Sequence, residues 1–421
     1  MNKLLLLLIL LMPVHIKAQD TLNLQYCRQR TISTYPLNQD FENNLKANEL
    51  KIKNIKTIYY PVLNLTGQLI HVSDVPHYVS DNPLLQIPVI GNDQYKIMLE
   101  AKQVLFDGGL TKKQKTLEES SLAVQNKNTE VKLYALNEQI NDVYFLILLF
   151  QEQKRLLELT RKTLNEQLKI VQSGVKNGVL LPGDADVLTA EILKTEQSIS
   201  ELDAGKNSGL EILSNLMDTS IASETYLDLP QINTVPENSV IKRPEYDLFS
   251  AQQKQLQNTA ELNQVKRFPY IAAFGTFGYG YPGLNMLQDQ ADIIYTFGLN
   301  LSWTIWDWNK TKREKQIFAV QQDMINTQQE VFDKNLKTAI TKEKNEIIKL
   351  NDLLEKDKKI IEIRQRISNT KASQLKNGVI TSSEYIRELN NETMAKVSRS
   401  LHEIQRIQAI VRYNTLIGQL N

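Results

Sequence analysis

The sequence predicts a mostly α-helical chain that also carries membrane β-strands, built as a tandem repeat. Three observations predict this class. Short motifs recur at an offset of 200 residues. Two very long stretches lack proline and place apolar residues at alternating steps of four and three. Two segment pairs alternate large apolar with small or polar residues, as half-exposed strands do. The expectation is four strands given to a shared membrane β-barrel and long coiled-coil helices given to an α-barrel.

The composition narrows the classes further. The 421 residues hold 49 Lys+Arg against 48 Asp+Glu, with one cysteine and four histidines. A lone Cys27 excludes a disulfide scaffold and leaves a structural zinc site short of ligands. The near-neutral balance argues against a basic face for nucleic acid, so no nucleic-acid partner is expected. No stretch after the N-terminus reaches the ~18 apolar residues of a membrane helix.

Residues 1–18 read as a secretory signal: Lys3, an apolar run from Leu4 to Met12, and Ala18 before the break. Cleavage there removes Lys3 and Lys17 and turns the net charge from +1 to −1. Leu24-Gln25-Tyr26-Cys27 has the outline of a lipid-attachment box, but Gln25 and Tyr26 are too large for one. A buried, unpaired Cys27 is expected instead. Residues 19–57 form an N-terminal segment and helix, and 58–107 a first β-hairpin. A helical hairpin over 108–226, a linker over 227–244 rich in proline and a helix over 245–267 follow. A second β-hairpin over 268–307 and a second helical hairpin over 308–421 complete the chain.

The repeat is read from two correspondences. Val104–Lys112 mirrors Thr304–Lys312, and Val175-Lys176-Asn177-Gly178-Val179 mirrors Leu375-Lys376-Asn377-Gly378-Val379, both 200 residues apart. Upstream, Tyr60-Pro61 pairs with Phe268-Pro269 at an offset of 208, so the first copy carries eight extra residues there. Between the motifs, Leu110–Asn177 and Asn309–Asn377 would each be about 100 Å long as continuous helices. Leu136, Ile140, Val143, Ile147, Phe150, Leu157, Leu164, Leu168, Val171 and Val175 make a coiled-coil seam on the first. Ile347, Leu350, Leu354 and Ile361 make one on the second, with Ile360, Ile363 and Ile367 starting a neighbouring seam. Two seams predict helical neighbours on both sides, as in a ring. The octet Val143–Phe150 is too short to span a bilayer and is expected to be enclosed by helices.

The strands carry the membrane argument. Leu63, Leu65 and Leu69 alternate with Asn64, Thr66 and Gln68, and Tyr95, Ile97 and Leu99 with Lys96 and Glu100. In the second hairpin Phe277 and Tyr279 alternate with glycines. Tyr295, Phe297, Leu299, Leu301 and Trp303 face away from Thr296, Gly298, Asn300 and Ser302, and the apolar strand face is expected to reach Ile305. Strands of about ten residues, apolar outside, polar inside and aromatic at their ends, suit an outer-membrane barrel. Four strands cannot close one, so chains must share it: two give eight strands, three give twelve. An open sheet would leave its edges unsatisfied in lipid.

At this point the residues resemble the TolC-like outer-membrane efflux factors across the mature chain. The markers are Tyr59-Tyr60-Pro61-Val62-Leu63 and Phe268-Pro269-Tyr270-Ile271 entering the hairpins, Leu105-Phe106-Asp107-Gly108-Gly109 leaving the first, and Arg243-Pro244-Glu245 opening the second repeat. The resemblance implies a homotrimer, with a twelve-stranded barrel in the outer membrane and a twelve-helix tunnel in the periplasm. It implies docking by the helix tips onto a periplasmic adaptor (membrane fusion) protein that couples to an inner-membrane pump. Substrates would pass unchanged.

The resemblance places Gly178, Val179, Leu180, Gly378, Val379 and Ile380 at adaptor-docking tips, and Asp184 and Glu384 as an acidic pair at the pore entrance. The residues themselves also allow a plain reading: Asn-Gly stops a helix, and an acid in a first turn suits the helix dipole. Thr381, Ser382 or Ser383 would cap the second returning helix, and Pro182-Gly183-Asp184 occupies that place in the first. Leu375, Ile380 and Arg387 stand where some relatives carry groups of a closing ion-pair lock, so that lock is not expected. No catalytic constellation and no cofactor or metal site is read. His71 and His77 flank Asp74 in an external loop, as solvated residues. A periplasmic adaptor and an exported coiled-coil scaffold are the alternatives, and the two membrane-like strand pairs count against both.

Overall fold

The computed structural model describes residues 21–76, 88–232, 240–285 and 287–420. The signal segment 1–18, His77 and Pro236 lie outside these residues. The fold is mostly helical and divides into two units, one made of residues 39–128 and 245–330, the other of 21–38, 129–244 and 331–421.

The first unit holds four strands: β2 (Val62–His71), β3 (Asp93–Phe106), β5 (Tyr270–Tyr281) and β6 (Asp292–Ser302). They form one antiparallel sheet in the order β2-β3-β5-β6. Tyr270 opposite Ser302 is the last rung between β5 and β6. The strand expected to reach Ile305 therefore stops at Ser302. Pro269, just before β5, has no N–H to continue the ladder.

Each strand joins a helix of the same unit. These are α2 (Gln39–Lys56) before β2, the start of α3 (Leu110–Lys176) after β3, α5 (Pro244–Val265) before β5, and the start of α6 (Lys310–Lys376) after β6. Polar contacts link these helices in the order of the strands. Asn48 Nδ2 donates to Glu118 O at 2.7 Å, joining α2 to α3. Gln255 Nε2 donates to Ser121 Oγ at 2.7 Å and Lys113 Nζ meets Glu261 Oε2 at 2.7 Å, joining α3 to α5. Gln253 Nε2 donates to Asn326 Oδ1 at 2.7 Å, joining α5 to α6.

The second unit is a helical body made of α1 (Leu24–Thr34), α4 (Pro182–Met217), α7 (Ser382–Ile417) and the remaining lengths of α3 and α6. α3 and α6 are each 67 residues long, and α4 and α7 each 36. α3 carries the core: Ile140, Tyr144, Ile147, Leu164 and Val171 are fully enclosed. Tyr144, Phe145, Ile147 and Leu148, from the apolar octet, are all buried, and only Leu146 is clearly exposed. On α6, Ile347 and Leu350 are buried, whereas Ile360 and Ile363 are exposed.

The N-terminal region forms two helices rather than the one expected, divided at Tyr35-Pro36. Cys27 is completely buried, and burial pushes its thiol up to about 12. Arg28 beside it is buried, and no carboxylate among the described residues pairs with it. Its Nε and Nη2 both donate to Asn141 Oδ1, at 3.0 and 2.7 Å, and desolvation lowers the guanidinium to about 10.

The linker also begins with structure that the sequence does not announce. β4 (Tyr226–Leu227) pairs in parallel with β1 (Thr21–Leu22). Two side chains one heptad apart on α3 hold this ribbon. Tyr144 Oη donates within reach of Leu22 O and Asp228 O, at 2.8 and 2.6 Å. Gln151 both donates to and accepts from the Leu227 backbone at 3.1 Å.

Candidate functional site

The sheet has one apolar face, set by register across all four strands. Leu65, Leu99, Phe277 and Tyr295 form one cross-strand row. Leu69, Tyr95 and Tyr281 form another, and Ile97, Tyr279 and Ile293 a third. Leu63 and Phe297 lie on the row of Ala101 and Gly275, and Leu299 and Leu301 continue the face along β6. All of these large side chains except Tyr281 are exposed, Phe297 at 83 %. Trp303 follows the end of β6 and is exposed as well. The opposite face carries Asn64, Thr66, Gln68, Lys96, Glu100, Lys102, Thr276, Thr296 and Asn300, with Val62, Met98, Phe274 and Ile294 among them. The alternation read from single strands therefore adds up across the sheet, because the pairs keep one parity as far as the bulge between Val104 and Phe106 on β3.

At the hairpin end of the sheet Tyr281 ties the two loops together. Its hydroxyl accepts from Gly91 N at 2.6 Å and donates to Asp289. Nearby, His71 Nδ1 and Asp93 Oδ1 stand 2.6 Å apart across β2 and β3, both exposed. Among the described residues no three His, Cys, Asp or Glu side chains gather as metal ligands do.

At the other end, the first repeated motif has a clear structural job. Asp107 accepts from Gly109 N at 2.8 Å and Thr111 N at 2.7 Å, and so caps α3. Asp307 accepts from Thr311 N at 3.0 Å and caps α6 in the same way. The backbone between cap and helix is left-handed in both copies: φ is +66° and +90° at Gly108 and Gly109, and +54° and +60° at Trp308 and Asn309. The geometry repeats although the residues do not.

The second repeated motif forms the tips. Gly178 N donates to Val175 O at 3.0 Å and Val179 N to Gly174 O at 2.9 Å. Gly378 N donates to Leu375 O at 3.0 Å and Val379 N to Gln374 O at 2.9 Å. Both are Schellman stops, which need the left-handed residue that Gly178 and Gly378 supply at φ +70° and +68°. α4 then starts with Pro182 in its first turn, and α7 with Thr381 as cap, its side chain accepting from Glu384 N.

The two tips pack as one. Leu164, Val171, Leu188, Ile192, Leu375, Tyr385, Ile386 and Leu389 form a shared core, and Leu180 and Ile380 fold in against it. Gly178, Val179, Gly378 and Val379 remain exposed, with the two valines at 62 % and 69 %. Leu181 is open at 73 %, an apolar tip residue that the repeat comparison passes over because its counterpart is Thr381. Asp184 and Glu384 both have partners: Asp184 Oδ1 accepts from Ser382 N at 2.9 Å, and Glu384 Oε2 lies 3.7 Å from Lys371 Nζ. Asp184 thus serves the start of α7 as well as its own helix.

No protein-family model matches the sequence, and no curated protein matches it. The fold does match solved structures. The outer-membrane channel OprN superposes with a TM-score of 0.67 at 14 % identity, over 94 % of this chain and 90 % of that one. The open state of the MtrE outer-membrane channel of Neisseria gonorrhoeae gives 0.64 at 15 % identity, over 94 % and 89 %. The CmeC outer-membrane channel of Campylobacter jejuni gives 0.62 at 12 %, over 94 % and 86 %. The chain has the TolC-like channel fold that its resemblance implied.

Proposed function

We propose that this chain is the outer-membrane channel of a tripartite efflux or secretion system, a passive conduit through which substrates move unchanged. The observation that carries the reading is the sheet. Most of its exposed large apolar side chains share one face, and the other is mixed, its polar side chains interspersed with Val62, Met98, Phe274 and Ile294. In water such a face would be a liability; in lipid it is the expected outer surface of a barrel. The strands β2 and β6 are the sheet's edges. Bilayer hydrocarbon offers them no hydrogen-bond partners, so they must pair with other copies. Three copies give twelve strands, the number the family resemblance implies, and the repeat is read as a tandem duplication.

On this reading the long helices line a periplasmic tunnel. The exposed tip residues Gly178, Val179, Gly378 and Val379, together with Leu181, meet a periplasmic adaptor bound to an inner-membrane pump. Asp184 and Glu384 add negative charge near the entrance while keeping their cap and ion-pair contacts. The fold neighbours OprN, MtrE and CmeC are themselves outer-membrane channels, which supports the location.

The test is fractionation followed by crosslinking. The protein is expected in the outer-membrane fraction as an oligomer of three copies. Cysteines at Val179 and Val379, which avoid the left-handed glycines, are expected to capture an adaptor protein. Recovery as a soluble periplasmic monomer would overturn the channel reading. Intact trimers that capture no adaptor from either position would overturn the docking assignment alone.

A further inference from the structure

Where β6 gives way to α6, the sheet unit has an open groove of about 610 Å³. Three cations line it, Arg267, Lys312 and Lys315, alongside the apolar side chains of Phe268, Trp303 and Ile305. Those three apolar side chains are all exposed. The groove lies just past the last rung of the sheet, Tyr270 opposite Ser302. Trp306 and Trp308, also exposed, stand edge to face beside this junction with ring centres 5.9 Å apart.

The charge of the groove is unbalanced. Lys312 and Lys315 form no ion pair among the described residues. Arg267 Nε is 3.8 Å from Asp307 Oδ2, an oxygen already accepting from Thr311. The matching place in the first half of the chain compares at one position: there Lys115 meets Glu119 at 3.6 Å. In the second repeat the residue equivalent to Glu119 is Ala319, so Lys315 has lost the matching acid. Helix stability does not account for these cations. The first turn of α6 has no acid, and positive charge at a helix N-terminus is unfavourable. Trp308 likewise sits in left-handed backbone that a tryptophan rarely adopts, with its ring in solvent.

We propose that this groove binds the phosphate of an anionic phospholipid, such as phosphatidylglycerol, in the periplasm-facing leaflet. The cations hold the headgroup phosphate by charge-assisted hydrogen bonds. Phe268, Trp303 and Ile305 cover the glycerol backbone and the start of the acyl chains, the depth at which tryptophan rings settle in a bilayer. A soluble anion would satisfy the cations and leave the apolar half of the groove unused. Only an amphiphile uses both. The inference rests on the membrane reading above and adds a lipid preference to it.

The test uses the full-length oligomer reconstituted in phosphatidylcholine nanodiscs doped with phosphatidylglycerol, with native mass spectrometry to count retained lipid. The wild type is expected to retain phosphatidylglycerol over phosphatidylcholine. Arg267→Gln, Lys312→Gln and Lys315→Gln together are expected to weaken that preference by about fivefold per cation, roughly a hundredfold in all. A control removing Lys342, Lys358 and Lys359, exposed on α6 away from the groove, is expected to leave it unchanged. Equal retention of both lipids by the wild type, or undiminished preference in the triple variant, would sink the proposal. Displacement of the lipid by millimolar inorganic phosphate would sink it too, by making the groove a soluble-anion site. Flotation with vesicles separates the two levels. A chain that does not float refutes the membrane reading, whereas one that floats without lipid preference refutes only this inference.

Discussion

Gly418 ends α7 with φ at +81°, and a Cβ placed there would stand 2.0 Å from Lys242 O. Its counterpart at the end of α4, Asp218, takes φ +48° and is one of the few non-glycine types that tolerate that region. Gly418→Ala therefore combines a left-handed penalty of about 1–3 kcal/mol with a backbone clash. It is expected to lower the thermal midpoint clearly in a melt followed by circular dichroism, whereas Asp218→Gly should be close to neutral. At this scale the sequence is readable where a residue acts on its neighbours. Asp107 and Asp307 stand out as a repeated motif because each caps a helix four positions on. Asp184 cannot be read this way, because the backbone N–H it accepts from belongs to Ser382, 198 residues further along the chain. Tyr144 and Gln151 look like ordinary core positions, yet they hold β1 and β4 by hydrogen bonds to distant backbone. Nothing in a local pattern reports such contacts.

Helices longer than sixty residues are legible because nothing in them can stop them, and both end at the same Asn-Gly signal. Strands of ten residues are legible by parity. The paired strands β1 and β4 are two residues each, shorter than the period that would reveal them. The tip is the element where legibility divides: its glycine stop was plain, its packing was not. Leu180 and Ile380, expected at the surface from their place in the motif, turn into the shared core, while Leu181 points out. The tie from Asp184 to Ser382 can be tested by two substitutions that differ in one property. Asn keeps an acceptor oxygen at the same reach; Ala removes it and should cost about 1 kcal/mol locally. Hydrogen exchange over residues 379–386 is expected to speed up in Asp184→Ala and to stay near wild type in Asp184→Asn. Equal behaviour of the two variants would mean that charge, not the hydrogen bond, holds the start of α7.

The whole molecule is the scale at which a single copy looks unfinished. Ile317, Val320 and Met324 recur at helical spacing on α6 and are all exposed. Ile360 and Ile363 extend the same want further along that helix. Composition gave no hint of this, because a one-faced sheet and a few unmatched helix positions scarcely move an average. If the chain forms the proposed trimer, Val320→Asp with Met324→Asp is expected to abolish it in detergent, read by light scattering, while helical content measured by circular dichroism stays unchanged. A trimer that survives would place the subunit contact elsewhere. The two sheet edges carry a consequence for how such a protein reaches its membrane. On the proposed barrel, a copy that entered the bilayer alone would strand the backbone groups of β2 and β6 in hydrocarbon. That reading therefore expects association before or during insertion, and a yield of inserted protein that climbs more steeply than in proportion to its concentration.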